Sequence, residues 1–142
     1  MASILLIDDD ENMRILAAEV LRADGHTVDT ANDGKAGLEL YKAWLPDLII
    51  TDIVMAEMDG LQLIEELRKL TPKPRVIAMS GDAKLSVPIY LPLAKGLGVE
   101  RILAKPFRPD VFRQTVSDVL AKPAQSAVAP GSAVPLPGRD GV

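Results

Sequence analysis

The chain has 142 residues, of which 48% are apolar and 25% are charged, and its formal net charge is -4. This length and composition are typical of one soluble globular domain, and the acidic balance argues against direct binding to nucleic acid. The chain has no cysteine and no apolar run of transmembrane length, which excludes disulfides, thiolate metal sites and membrane insertion and leads us to expect a cytoplasmic protein.

Short apolar segments alternate with amphipathic segments along the chain, as strands alternate with helices in α/β proteins. The predicted strands cover residues 3–7, 27–31, 48–51, 75–79 and 101–104. The predicted helices cover residues 11–23, 34–44, 60–70, 90–97 and 110–120, each to within a residue or so. Because each strand is followed by a helix, the pattern predicts a five-stranded parallel sheet with helices on both faces, a doubly wound (βα)5 fold.

Individual residues indicate where these elements begin and end. Asp10 can cap the first helix, Asn32 or Asp33 can cap the second, and Gly25 suits a left-handed C-cap. One face of the first helix should pack on the sheet, through Met13, Leu16, Ala17, Val20 and Leu21.

The composition changes near residue 121. We expect residues 1–121 to form the folded domain. Residues 122–142 are mostly Pro, Ala, Gly and Ser without periodicity, so they are predicted to be a disordered tail.

Chemically useful side chains follow four of the five predicted strands. Asp8 and Asp9 follow the first strand, Asp52 the third, Ser80 the fourth and Lys105 the fifth. The carboxyl ends of parallel strands meet at one edge of an open α/β sheet, where such folds bind ligands. Carboxylates gathered there would repel one another without a cation, which indicates a hard-metal site suited to Mg²⁺.

The same residues also suit phosphoryl chemistry. A carboxylate can attack a phosphoryl group as a nucleophile, while a lysine and a hydroxyl can hold its oxygens. Since phosphoryl transfer is catalysed mainly by positioning and charge neutralisation, this set of groups is sufficient in kind.

Five sequence motifs then resemble response-regulator receiver domains of two-component signalling. They are ILLIDDDE at 4–11, PDLIITD at 46–52, MDG at 58–60, VIAMSG at 76–81 and AKPF at 104–107. The resemblance covers roughly residues 2 to 121, and it implies a flavodoxin-like or CheY-like sheet with strand order 2-1-3-4-5.

The resemblance also implies a role for each site residue. Asp52 matches the phosphoacceptor, Asp8 and Asp9 match the acid pair that holds Mg²⁺ together with Asp52, and the backbone carbonyl of Val54 matches a further ligand. Ser80 matches the switch hydroxyl. Lys105 matches the lysine that pairs with the phosphoryl group, and its bond to Pro106 is expected to be cis.

The partners implied are a sensor histidine kinase or histidine phosphotransfer protein as donor and a downstream protein target. The chain is expected to be a stand-alone regulator, monomeric or weakly dimeric, whose output is protein binding or phosphate relay. It would be no conventional enzyme, since it would catalyse only its own phosphorylation and dephosphorylation.

Two positions depart from the family pattern. Ala56 stands where proline is usual, and Ile102 stands where a switch aromatic is usual, so a ring cannot report phosphorylation. The segment from Gly81 to about Ile89 is expected to be a long loop that contributes to partner selectivity.

These departures keep a second hypothesis open, a receiver-like binding module that works without phosphorylation. A third is an aspartyl-phosphate hydrolase, because Asp8-x-Asp10 has the spacing of the acid pair in haloacid-dehalogenase-like phosphatases. That reading does not account for an acceptor on the third strand. Asp10 is better interpreted as a helix cap, and His26, the only histidine, as an exposed residue without a role.

Overall fold

The computed structural model describes residues 1–53, 60–70, 73–80, 96 and 98–122, with residues 60, 61 and 80 described by their backbone alone. Its strands are β1 Ser3–Ile7, β2 Thr27–Ala31, β3 Leu48–Asp52, β4 Val76–Ser80 and β5 Arg101–Ala104. Its helices are α1 Glu11–Ala23, α2 Gly34–Trp44, α3 Gly60–Leu67 and α4 Pro109–Ala121. The predicted tail from residue 123 onward and, apart from residue 96, the predicted loop and helix at 81–97 lie outside the described residues.

The five strands form one parallel sheet in the order β2-β1-β3-β4-β5, which confirms the predicted fold and strand order. Ile7 pairs with Ala31 on one side and with Thr51 on the other, so Asp8 leaves the sheet beside the end of β3. Asp52 pairs with Met79. The register therefore brings the carboxyl ends of the strands to a common edge.

Two layers of helices cover the sheet because successive strand residues point to opposite faces. On one face, Ile4, Leu6, Ile50 and Met79 pack with α1 and α4 around the fully buried Phe112. On the other face, the neighbouring strand positions pack with α2 and α3, through Leu5, Ile7, Ile49, Tyr41, Leu63 and Leu67. The central strands are thus buried on both sides, as their uninterrupted apolar sequences predicted.

The predicted caps are confirmed. The side chain of Asp10 accepts a hydrogen bond from the Met13 amide, and Asp33 caps α2 through Ala36. Gly25 has φ +92 just beyond α1, the left-handed conformation expected of it. The third helix ends at Leu67 rather than near residue 70, because Leu70 bonds back to the Leu67 carbonyl in a tighter turn.

The predicted packing face of α1 was partly wrong. Ala17, Ala18 and Leu21 are its buried residues, whereas Leu16 is 54% exposed. At roughly 100° per residue, Leu16 lies on the far side of the helix from the centre of this buried arc. The apolar spacing in the sequence was wider than the arc that the sheet covers.

No helix among the described residues is both long enough and apolar enough to cross a membrane.

Candidate functional site

Strand ends position the side chains of the candidate site. Asp8 and Asp9 follow β1, Asp52 is the last residue of β3, and Lys105 follows β5. Each strand is anchored by buried apolar residues, so the residues at its carboxyl end are held by the sheet. Ser80 ends β4, but its side chain and the whole of Val54 lie outside what the structure describes, and their predicted roles stay predictions.

A buried lysine bridges two carboxylates at this edge. The Lys105 ammonium donates to Asp8 Oδ2 at 2.9 Å and to Asp52 Oδ2 at 3.2 Å. The lysine side chain is 10% exposed, and the side chains of Asp8 and Asp52 are 1% and 9% exposed. The sequence therefore correctly predicted that these three side chains meet, although Asp8 and Asp52 lie 97 and 53 residues from Lys105 along the chain.

The remaining oxygens of the two carboxylates accept backbone hydrogen bonds. Asp8 Oδ1 accepts from the Asp10 amide at 2.9 Å, and Asp52 Oδ1 accepts from the Ile53 amide at 2.9 Å. Both carboxylates are thus oriented on each side, one oxygen toward the main chain and the other toward Lys105.

Burial raises the pKa of Asp52 to about 6, against the opposing attraction of Lys105 and with a further contribution from the nearby negative charge of Asp8. The raised pKa means that Lys105 and the Ile53 amide do not fully offset the cost of burying the negative charge of Asp52. Near neutral pH the carboxylate is still mostly ionised, so it remains available as a nucleophile or a ligand.

The pKa of Lys105 is raised as well, but for a different reason. Burial by itself lowers the pKa of Lys105, but its hydrogen bond to Asp8 and the charges of Asp52 and Asp8 together raise it above the ordinary value. The lysine is therefore a fixed positive charge in the site and not a proton donor at physiological pH.

Asp8, Asp9 and Asp52 together form a group that could hold a metal ion. Each offers a carboxylate oxygen, and these oxygens all lie within 4.8 Å of one another. Asp9 is exposed while the other two are buried, so the group opens to solvent on one side. An all-oxygen donor set with an open side fits Mg²⁺, which keeps several of its waters.

Asp10 does not belong to this group. Its side chain caps α1 by accepting from the Met13 amide at 3.2 Å, as expected. An Asp8-x-Asp10 acid pair of the hydrolase type is therefore not assembled, because the second aspartate bonds to the helix.

Arg14 was missed as a neighbour of the site. Its guanidinium donates through Nη1 to the backbone oxygen of Asp8 at 2.7 Å. The available signal was its place four residues before Ala18 and seven before Leu21, on the face of α1 that is buried. A long cationic side chain on such a face must reach a polar partner.

Two further sequence expectations can be compared with the structure. The Lys105–Pro106 peptide is cis, as expected. His26 is half-buried, so the expectation of an exposed residue was wrong, and its Nδ1 accepts from the Ala2 amide at 3.1 Å. The bond joins His26 to the residue before β1, at the edge of the sheet opposite the acidic cluster.

Comparison with known proteins gives a consistent picture. The family model of the response regulator receiver domain matches residues 4–117. The chain is 31% identical to chemotaxis protein CheY of Halobacterium salinarum over 82% of this chain and 95% of that protein. It is also 31% identical to sporulation initiation phosphotransferase F of Bacillus subtilis, over 82% of this chain and 92% of that protein.

Other relatives are longer. The chain is 34% identical to transcriptional regulatory protein GlrR of Escherichia coli over 123 residues, and it spans only 27% of the length of that protein. Among solved structures, the receiver domain of NtrX from Brucella abortus superposes with a TM-score of 0.77 at 28% identity, over 84% of this chain and 99% of that one.

Proposed function

This chain belongs to the response regulator receiver domain family, and on that premise we propose that Asp52 accepts a phosphoryl group in a two-component phosphorelay. The observation that supports this proposal most is the buried contact of Lys105 with both Asp8 and Asp52. In this proposal Asp52 would serve as the nucleophile, Lys105 as a fixed cation and Asp8 as a carboxylate ligand, and the three side chains lie in contact.

Asp52 has the properties that a carboxylate nucleophile needs. A carboxylate with a pKa of about 6 is mostly ionised at neutral pH and is more basic than an ordinary aspartate. In the transfer, a carboxylate oxygen forms a bond to phosphorus, the bond from phosphorus to the donor breaks, and its electron pair stays with the donor. The product is an acyl phosphate on Asp52.

Lys105 and the metal group would manage the charge of this reaction. Lys105 is held in place by Asp8, so it stays beside the acceptor while negative charge arrives. Asp8, Asp9 and Asp52 would hold Mg²⁺, which when bound supplies neutralisation of the phosphoryl oxygens. We keep Ser80 and the Val54 carbonyl as further proposed contacts of the phosphoryl group and the metal, respectively.

The proposed donor is a histidine kinase or a histidine phosphotransfer protein in the cytoplasm. One relative, sporulation initiation phosphotransferase F, bears a name that includes phosphotransfer. Exposed apolar side chains at Ile15 and Leu16 lie on α1, the helix that starts just after Asp8 and Asp9. A protein donor that reaches Asp52 would cover this part of the surface.

A small phosphodonor tests the chemistry separately from the partner. We expect acetyl phosphate with Mg²⁺ to add one phosphoryl group to the intact protein, as seen by mass spectrometry, and chelation of Mg²⁺ to prevent it. Asp52→Asn should accept none, whereas the matched variant Asp10→Asn, altered at a helix cap, should react like the wild type. An unmodified wild-type protein, or a modified Asp52→Asn variant, would refute the assignment.

A second experiment tests the protein donor. With a kinase found by phosphotransfer profiling, Leu16→Glu should slow transfer at least tenfold but leave the reaction with acetyl phosphate unchanged. Leu45→Glu is the matched control, since Leu45 is 65% exposed and lies beyond α2, at the opposite edge of the sheet. Equal losses in the two variants would exclude α1 as the donor surface.

A further inference from the structure

The Arg14 side chain extends from the buried face of α1 to the backbone of Asp8, one of the proposed metal ligands. It shares that face with Ala17, Ala18 and Leu21, and it is itself half-buried. Its Nη1 donates to the Asp8 carbonyl at 2.7 Å, a short distance for a bond from a charged donor to the main chain. The arginine thus ties the first helix to the end of β1.

The Asp8 carbonyl has no other donor among the described residues. The amide of the same residue continues the sheet by donating to Ala31 at 3.2 Å, and its two carboxylate oxygens accept from Asp10 and Lys105. Asp8 is 1% exposed, so a carbonyl left unpaired there would carry a desolvation cost. Arg14 removes that cost and fixes the orientation of the carbonyl.

The orientation of this carbonyl controls the next residue. The Asp8 carbonyl and the Asp9 amide belong to one planar peptide unit, so a bond that fixes the first also fixes the direction in which the chain enters Asp9. In the described part of the chain, no hydrogen bond holds the exposed carboxylate of Asp9. Its placement near Asp8 and Asp52 therefore depends on the backbone.

We propose that Arg14 is a positioning residue that holds the Asp8–Asp9 peptide in the orientation that brings the Asp9 carboxylate to the metal group. This inference rests on the proposed function, because it gives the metal group its expected ion. Arg14 itself touches neither the ion nor the phosphoryl group in this account. It acts through the backbone of its two acidic neighbours.

The sign of the effect separates this role from a purely electrostatic one. A guanidinium repels a divalent cation, so the loss of its charge alone would tighten Mg²⁺ binding. The loss of its hydrogen bond would release the peptide and weaken Mg²⁺ binding. We expect the second effect to exceed the first.

The experiment measures Mg²⁺ binding by calorimetry in the full chain without any phosphodonor. We expect Arg14→Met to raise the dissociation constant at least threefold, and Arg14→Lys, which keeps a cationic donor, to recover part of the loss. The matched control is Arg22→Met, since Arg22 lies on the same helix and donates to the carbonyl of Val28 in β2 at 2.9 Å. Arg22→Met should leave the dissociation constant within twofold of the wild type.

A metal-free amide NMR spectrum supplies the second readout. The Asp9 amide signal should move in Arg14→Met and return toward its wild-type position in Arg14→Lys. Should Arg14→Met fail to fold in a thermal melt, Arg14→Lys carries the same comparison with a smaller rise in the dissociation constant.

Several outcomes would overturn the inference. They are unchanged or tighter Mg²⁺ binding in Arg14→Met, an equal loss in Arg22→Met, an unmoved Asp9 amide, or a wild type that does not bind Mg²⁺. None of these measurements requires phosphorylation. A wild type that binds Mg²⁺ but accepts no phosphoryl group would refute the proposed function alone, and the Arg14 variants would still decide this inference.

Discussion

The two edges of the sheet use polar side chains in opposite ways. At the carboxyl edge, Asp8, Asp52 and Lys105 are buried against one another with two acids for one base. At the amino edge, Asp47 accepts from the amide and the hydroxyl of Ser3 at 2.9 and 3.1 Å, and all these groups are exposed. The first arrangement concentrates uncompensated charge, whereas the second closes the ends of two strands.

The two edges therefore affect the free energy of folding in opposite directions. A buried acid whose pKa rises to about 6 opposes folding in its ionised form. An exposed carboxylate that accepts two hydrogen bonds from a neighbouring strand supports folding. A bound cation would therefore stabilise the carboxyl edge, whereas the polar groups of Asp47 and Ser3 at the amino edge are already hydrogen-bonded to each other.

Of the substitutions considered, the loss of Lys105 should destabilise the protein most. Without Lys105, the carboxylates of Asp8 and Asp52 would face each other in a buried site with no cation. We expect Lys105→Met to lower the free energy of unfolding by about 3 to 4 kcal/mol at pH 7 in metal-free buffer. Urea denaturation followed by circular dichroism measures the change.

The control for that variant is a lysine in an exposed ion pair. Lys69 lies just beyond α3, is 64% exposed and lies 3.3 Å from Glu66, which is 47% exposed, so Lys69→Met should cost less than about 1 kcal/mol. The loss in Lys105→Met should also shrink at pH 5, where Asp52 is protonated, and in the presence of Mg²⁺. Similar losses in the two lysine variants would show that the carboxyl edge holds no special charge imbalance.

Neutralisation of Asp52 should have the opposite effect on stability. Because the folded-state pKa lies at about 6, above the ordinary 3.8, folding is penalised once the carboxyl ionises. The penalty is absent below about pH 4, grows as the pH rises toward 6, and is complete above it. Asp52→Asn should therefore raise the free energy of unfolding by about 2 to 3 kcal/mol at pH 7 without metal, and by much less at pH 4.5.

Urea denaturation of wild type and Asp52→Asn at both pH values, with a chelator present, measures this profile. A stability difference that does not change with pH would contradict the assignment of the penalty to ionisation of Asp52. Added Mg²⁺ should stabilise the wild type more than the variant, which lacks one carboxylate of the metal group.

The sequence predicted the fold well because its signals are local. Uninterrupted apolar runs such as 4–7 and 48–50 have a single stable place, the middle of a sheet covered on both faces. Capping residues such as Asp10, Asp33 and Gly25 mark their elements through bonds to near neighbours. The meeting of Asp8, Asp52 and Lys105 followed from the parallel topology, since every strand ends at the same edge.

Local sequence signals do not predict features that depend on the reach of a long side chain or on the exact area of contact between two elements. The spacing of Arg14 from Ala18 and Leu21 places it on the buried face of α1, but it does not say which carbonyl the guanidinium reaches. The exposure of Leu16 depends on how narrow an arc of α1 meets the sheet. The partnership of His26 with Ala2 joins residues 24 apart, after the two have been brought together by the pairing of β1 with β2.

The smallest change in the free energy of unfolding is expected for Asp47→Ala, and its sign should be opposite to that of Asp52→Asn. Asp47→Ala removes the acceptor for the Ser3 amide and hydroxyl, but the Asp47 amide can still donate to the Ser3 carbonyl, now at 2.8 Å. Since the lost groups are exposed and water can replace them, we expect a loss of only about 1 kcal/mol in the free energy of unfolding. The same urea measurement should thus show one aspartate substitution that destabilises the protein and another, at Asp52, that stabilises it. If Asp47→Ala also stabilised the protein, relief of the net charge of -4 would explain both results, and the distinction between the two edges would be wrong.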